Sequence, residues 1–302
     1  MRFRVGHLGR LFKDAFKAWN AKDPFRQSAI IAYYAVFSLP ALLVLIITIA
    51  GFFFGAEAVN REVLTQIADT MGKETAGQVK EMLVKANTGK SSVWATILGV
   101  VVLISGALGV FIELQKSLNI IWEVKAVPKK GIWSFLRARV FSFGLILAIA
   151  FLLLVSLVIS TALAAISQWL HTDSTVFVNY LFQGIDLLVS LCIIALLFAL
   201  IFKMLPDAKV PWRNVLIGSL VTSILFLIGK TALAFYFGKA NPGSGYGAAG
   251  SIILILLWFS YSSMILFYGA EFTRVYAKKY EGKIKPADFA KKEPPHSGNC
   301  AA

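Results

Sequence analysis

The sequence predicts an all-α integral membrane protein, a six-helix bundle, and three observations carry that expectation. Of its 302 residues, 58% are hydrophobic and only 15% charged, a balance far too apolar for a soluble domain of this size. Six stretches, at about 28–54, 93–112, 140–166, 181–205, 215–237 and 248–271, are long enough at 1.5 Å per residue to cross a hydrocarbon core of about 30 Å. Basic residues supply the third. With six crossings, 23 Lys and Arg fall on the side carrying both termini and six on the other, while Lys230 stays inside a span. The positive-inside rule then places both termini in the cytoplasm. A net charge of +14 is thereby explained without a nucleic-acid partner.

Residues 1–27 form the first element, a cytoplasmic arm. Leu8, Leu11, Phe12, Ala15, Phe16 and Trp19 recur at helical spacing opposite Arg10, Lys13, Asp14 and Lys17, which predicts an amphipathic helix in the inner headgroup layer. The arm has no continuous apolar core before a cleavage site, so the first span is expected to serve as an uncleaved signal. That span carries Pro40 at mid-depth. Its ring removes a donor and crowds the carbonyl of Val36, predicting a kink or local unwinding. Between 56 and 92 two short periodic runs, Leu64/Ile67/Ala68/Met71 and Ala76/Val79/Leu83/Ala86, read as a pair of amphipathic helices in an outer loop.

Span two holds Ser105 and Gly109, and span three Ser156, Ser160 and Ala164, spacings that let helices approach closely in lipid. In span six, Ser251, Trp258, Ser262 and Gly269 fall on one line along the helix. Such faces would also serve self-association into a homo-oligomer. Residues 278–302, basic and then Pro-rich, are expected to form a disordered tail.

Chemistry-bearing patterns are sparse. His7, His171 and His296 are scattered, Cys192 and Cys300 have no ligand spacing, and no Gly-rich phosphate loop occurs. Neither an enzyme nor a cofactor or metal is therefore expected. Ionisable residues at membrane depth are the better candidates, being costly to keep there. Lys230 lies ~12 Å below the outer end of span five and Asp186 ~7 to 8 Å inside span four, which suggests a pair or a polar cavity, functional or purely structural. Glu113, Glu271 and Arg274 sit at cytoplasmic span ends, as interfacial salt bridges or as a gate with headgroup contacts. The run containing Gly245, Tyr246 and Gly247 is a flexible outer turn or a cavity mouth.

Five segments carry a resemblance: AIIAYYAVFSLPALL in span one, LNIIWEV after span two, KMLPDAKVPWRNVLIGSL, GKTALAFYF, and YGAAGSIILILLWFSYSSMILFYGAEFTRVYA. In this order, over about 29–277, the chain resembles the YihY/BrkB family of bacterial inner-membrane proteins. The resemblance implies a six-span protein of the cytoplasmic membrane. It puts Pro40, Asn119, Trp122, Pro206, Lys230, Tyr246, Gly247, Trp258, Gly269, Ala270 and Glu271 on the family pattern. Members of that family have carried labels from ribonuclease to virulence factor to envelope-lipid transporter. A hydrolytic nuclease commonly clusters His and Asp around metal, a pattern missing from this sequence. The expected function is transport or flipping of an amphiphilic envelope component, with membrane lipids, anionic lipid or glycolipid among them, as partners; a non-catalytic scaffold or assembly factor is the alternative.

Overall fold

A computed structural model describes residues 8–71, 76–77, 79–81, 83–84, 93–126, 176–240, 242, 250–280, 284–287 and 290–292. The expected third span and the segment holding Gly245, Tyr246 and Gly247 lie outside the described residues. In chain order the elements are α1 (Leu8–Asn20), α2 (Pro24–Phe54), α3 (Ala56–Met71), α4 (Val93–Trp122), β1 (Val124–Ala126), α5 (Val176–Met204), β2 (Ala208–Lys209), α6 (Trp212–Ala240), α7 (Gly250–Tyr280), β3 (Lys285–Pro286) and β4 (Ala290–Lys292). The protein is mostly helical. Among the described residues, Leu187–Met204, Trp212–Ala240 and Ile252–Tyr280 are long and apolar enough to cross a membrane. On α6, Leu216, Leu220, Ile224 and Ile228 recur every four residues and all remain exposed, an apolar stripe that water would not tolerate and lipid would.

Chain turns are set by backbone chemistry at the helix ends. Pro24 opens α2 in the first turn, where its missing N–H costs nothing. Gly55 closes it at φ 86°, donating its N–H to the Gly51 carbonyl, a conformation that favours glycine. Two non-glycine residues also hold positive φ, Asp23 before α2 and Glu123 after α4.

Several expectations need correction. The tail expected to be disordered from 278 continues α7 to Tyr280, and then pairs β4 with β1 and β3 with β2, both antiparallel. The chain is thus mostly helical with two short ladders added, in which bonds to strands far upstream satisfy a backbone that composition alone would leave in water. Through Pro40, α2 runs without a break in its helical backbone, so the expected unwinding does not occur; one absent donor interrupts the ladder without ending it. Gly106, not Ser105, is the partner of Gly109 in close packing. Ser105 is exposed, whereas a Cβ on Gly106 would come within 2.8 Å of the Ser38 Cβ and one on Gly109 would meet the Tyr34 ring.

The chain divides into two compact units: Met1–Lys22, Leu118–Leu225 and Leu266–Ala302 form the first, Asp23–Ser117 and Phe226–Ile265 the second. Within the second, Leu43, Val79 and Leu83 make a core joined by Leu39, Ile47, Val63, Leu64 and Ile67, so the periodic positions of the 56–92 segment are its packing face. Leu233, Phe237 and Leu254, with Trp258 and Tyr261, make another.

In the first unit, Leu11 and Ala15 of α1 are fully buried against Phe272 and Tyr276 of α7. Phe12 packs on Tyr268 and Phe272, and its carbonyl accepts from the Tyr268 hydroxyl. The apolar face of α1 is therefore covered by α7 at these positions, while Phe16 stays exposed. Farther along, α6 and α7 meet through a reciprocal pair: Gly218 faces Thr273 and Gly269 faces Thr222. Each threonine hydroxyl bonds the carbonyl four residues back, Thr222 to Gly218 and Thr273 to Gly269. No side-chain donor is left seeking a partner in the seam, and the backbones can approach. Gly269 thus serves contact within the chain.

Candidate functional site

The first unit gathers four charged side chains at one place. Glu271, on α7, is fully buried. Its Oε1 lies 2.6 Å from the Lys22 ammonium and its Oε2 accepts from Arg274 Nε at 2.8 Å. Arg274 also donates to Glu123 through Nη1, and Lys22 donates to the Ile121 carbonyl at 2.9 Å. The cluster holds two cations and two carboxylates, so the charges balance in a region poor in water.

Local sequence explains how the four meet. Glu271 and Arg274 are three apart on one helical face. Lys22 ends the turn that follows α1, where Lys22 N–H bonds the Trp19 carbonyl. Glu123 follows the last residue of α4 and takes φ 56°, which turns the chain into β1. A side chain other than glycine in that region costs roughly 1–2 kcal/mol, and the pairing with Arg274 is the compensation on view.

Burial pushes the Lys22 ammonium below the usual lysine range; Glu271 opposes the shift and Arg274 adds to it. The unfolded chain consequently keeps a proton at this position that the folded chain surrenders at lower pH. Stability from this group rises with pH across the window between the lowered value and the ordinary lysine value near ~10.4. Lys22→Met should flatten that rise, which unfolding midpoints compared between neutral and mildly alkaline pH would show.

A second tie in the same unit joins α4 to the α5–α6 connection. Asn119 Nδ2 donates to Asp207 Oδ2 at 2.8 Å, and the Asp207 N–H donates to Asn119 Oδ1 at 2.8 Å. Beside it Lys203 donates to the Val210 carbonyl.

Lys230 belongs to the second unit and lies half-buried on α6, ten residues before its end at Ala240, roughly 15 Å along the axis. Among the described residues it forms neither an ion pair nor a hydrogen bond. Its neighbour Gly229 marks the close approach to α7: a Cβ there would come within 2.9 Å of the Tyr261 hydroxyl and 2.6 Å of Ile265. The Tyr261 hydroxyl thus lies against the residue next to the lysine. In the same stretch of α7, Ser262 Oγ is buried with no hydrogen-bond partner among the described residues.

The remaining sequence candidates are dispersed. Asp186 is on α5 in the first unit and its side chain lies outside the described residues, so its pairing with Lys230 stays an expectation. Glu113, in the second unit, stands 3.8 Å from Lys116. Lys22, Glu123, Asn119 and Asp207 were not singled out by their chemistry. The available signal was the lone carboxylate in each of WEV and LPDAK, one acid beside an apolar run. Among the described residues, no group of three or more His, Cys, Asp or Glu is placed to hold a metal.

Comparison with known proteins places this chain in a family. Residues 15–293 match the family model described as Virulence factor BrkB. A UPF0761 membrane protein of Saccharophagus degradans is 27% identical over 274 residues, 90% of this chain and 60% of the relative. One from Pseudomonas aeruginosa is 30% identical over 202 residues, 65% and 46%, and one from Yersinia pestis 32% identical over 181 residues, 59% and 58%. The chain spans about half to three-fifths of the length of these curated relatives. No solved structure matches it.

Proposed function

The chain belongs to the Virulence factor BrkB family of membrane proteins, and from that premise we propose that it moves an anionic amphiphile, a lipid or glycolipid of the envelope, across the cytoplasmic membrane. One observation carries the reading: Lys230 lies within a helix able to cross the membrane and has no carboxylate partner among the described residues. A lysine at such depth is costly unless something negative visits it. An anionic headgroup meets that need, and the Tyr261 hydroxyl, which lies against the neighbouring Gly229, can donate to its oxygens. The polar seam and the exposed apolar stripe of α6 suit a ligand with one charged end and one greasy one. In this reading the bundle has six spans, both termini face the cytoplasm, α1 borders the inner headgroup layer, and no bond is made or broken.

Reconstitution tests it. Vesicles containing the protein should equilibrate labelled anionic lipid between leaflets faster than protein-free vesicles. Lys230→Ala should slow this by about tenfold, the equivalent of roughly 1.4 kcal/mol of lost attraction, and Lys230→Arg should retain most of it. Asp186→Asn examines the counter-charge expected from sequence. Equal rates for wild type and empty vesicles would end the transport reading.

A second reading, a non-catalytic scaffold or assembly factor, draws on the charge-balanced Glu271 cluster. Buried and mutually neutralised, those groups favour a fixed arrangement over exchange with a ligand.

A further inference from the structure

Two helices of this chain open in the same way. Residues 24–28 read Pro-Phe-Arg-Gln-Ser and residues 211–215 Pro-Trp-Arg-Asn-Val, so an aromatic ring, an arginine and an amide follow a proline at the head of both α2 and α6. The match extends to packing. Gln27 and Asn214 are buried, as are Ser28 and Val215, while Phe25 and Trp212 are exposed and so are Arg26 and Arg213. From each arginine, steps of three, four and four residues reach Ala29, Tyr33 and Phe37 on α2, and Leu216, Leu220 and Ile224 on α6, all of them exposed. At about 100° per residue these steps keep the arginine and its three successors within roughly 80° of one another on the helix. Each face lies inside one compact unit, that of α2 in the second and that of α6 in the first.

The chemistry of the faces fits one kind of ligand. Arg26 is the single charged residue among the 31 of α2, and Arg213 the single one in the first 18 residues of α6. A lone cation at the end of a long apolar run sits at headgroup level. The last member of each face lies 11 residues farther along the helix, roughly 16 Å, which is about the depth of one leaflet in a hydrocarbon core about 30 Å thick. A phosphate at the guanidinium and an acyl chain along the three side chains below it give a phospholipid in its ordinary bilayer pose. A net anionic headgroup is favoured, because the ammonium of a zwitterionic lipid stays close to its phosphate and repels the guanidinium. At α6 Lys203 adds a second cation, its ammonium 5.4 Å from the centre of the Trp212 ring.

We propose that the chain holds two anionic phospholipids, one on each of these faces, with their phosphates on Arg26 and Arg213. Recurrence of the same order of ring, cation and apolar track at two helix heads separates these faces from singly exposed apolar residues, which every protein has. Neither face includes Lys230, so the proposal stands apart from the transport reading.

Native mass spectrometry of the full chain, titrated with phosphatidylglycerol in detergent micelles, tests it. The wild type should retain two phosphatidylglycerol molecules per chain and bind phosphatidylcholine about tenfold more weakly. Arg26→Gln and Arg213→Gln should each weaken one of the two sites about tenfold and leave the other, and the double variant should weaken both. Lysine at both positions keeps the charge without the guanidinium fork and should retain both lipids with reduced affinity, which separates lost attraction from a lost fold. A single glutamine variant that still holds two lipids as tightly as the wild type would overturn the proposal. Equal retention of phosphatidylcholine would do the same. Complete displacement of the lipid by excess inorganic phosphate would overturn the part assigned to the apolar tracks.

Discussion

Glu271→Leu should destabilise the protein by about 3–5 kcal/mol, because it leaves Lys22 and Arg274, both largely buried, beside an apolar side chain with no carboxylate between them. The loss is one of pairing more than of packing volume, and a cycle with Lys22→Met separates the two. If the charges act as a unit, the double change Lys22→Met/Glu271→Leu should cost much less than the sum of the singles, since a well-packed apolar pair can replace a buried ion pair nearly neutrally. Arg274 keeps Glu123 in either background. Reversible unfolding in detergent micelles measures all three variants. Additive costs would show that the cluster is not a coupled unit.

Gly218→Ala and Gly269→Ala should each cost about 1–3 kcal/mol by overpacking, more than an exposed helix position would show. An added Cβ at 218 would come within 2.7 Å of the Thr273 Cβ and 2.9 Å of its Cγ2; at 269 it would come within 2.6 Å of the Thr222 Cγ2 and 2.7 Å of its Cβ. Rotating the threonine does not relieve this, because its own Cβ is among the clashing atoms. Thr273→Ala in the Gly218→Ala background removes the branched atoms and should recover part of the loss. An alanine tolerated at both glycines in the same unfolding measurement would refute the close crossing of α6 and α7.

Much of this architecture was legible because lipid imposes simple demands. Long apolar runs announced the helices. The periodicity of 64–71 and 76–83 gave away its buried side. What stayed hidden depends on partners remote in sequence. Lys22 reads as one of seven basic residues in an arm, and nothing local says that it closes over Glu271. Glu123 carries no glycine to advertise its positive φ. Gly218 shows a small residue but not the threonine it faces. The tail strands are the clearest case: two or three lysine-rich residues show neither alternation nor β-propensity, and only upstream strands supply their bonds. Composition was misleading there.

The ladders also impose an order in time. Val124 and its partner Lys292 are roughly 170 residues apart, so a ribosome working at about 5–20 residues per second leaves β1 waiting on the order of 10–30 s for β4 to exist. Over that interval the edge of β1 faces solvent or lipid while α5, α6 and α7 are made and inserted. Closure of the ladders is therefore among the last events of synthesis, and it records that the helices between them are already in place.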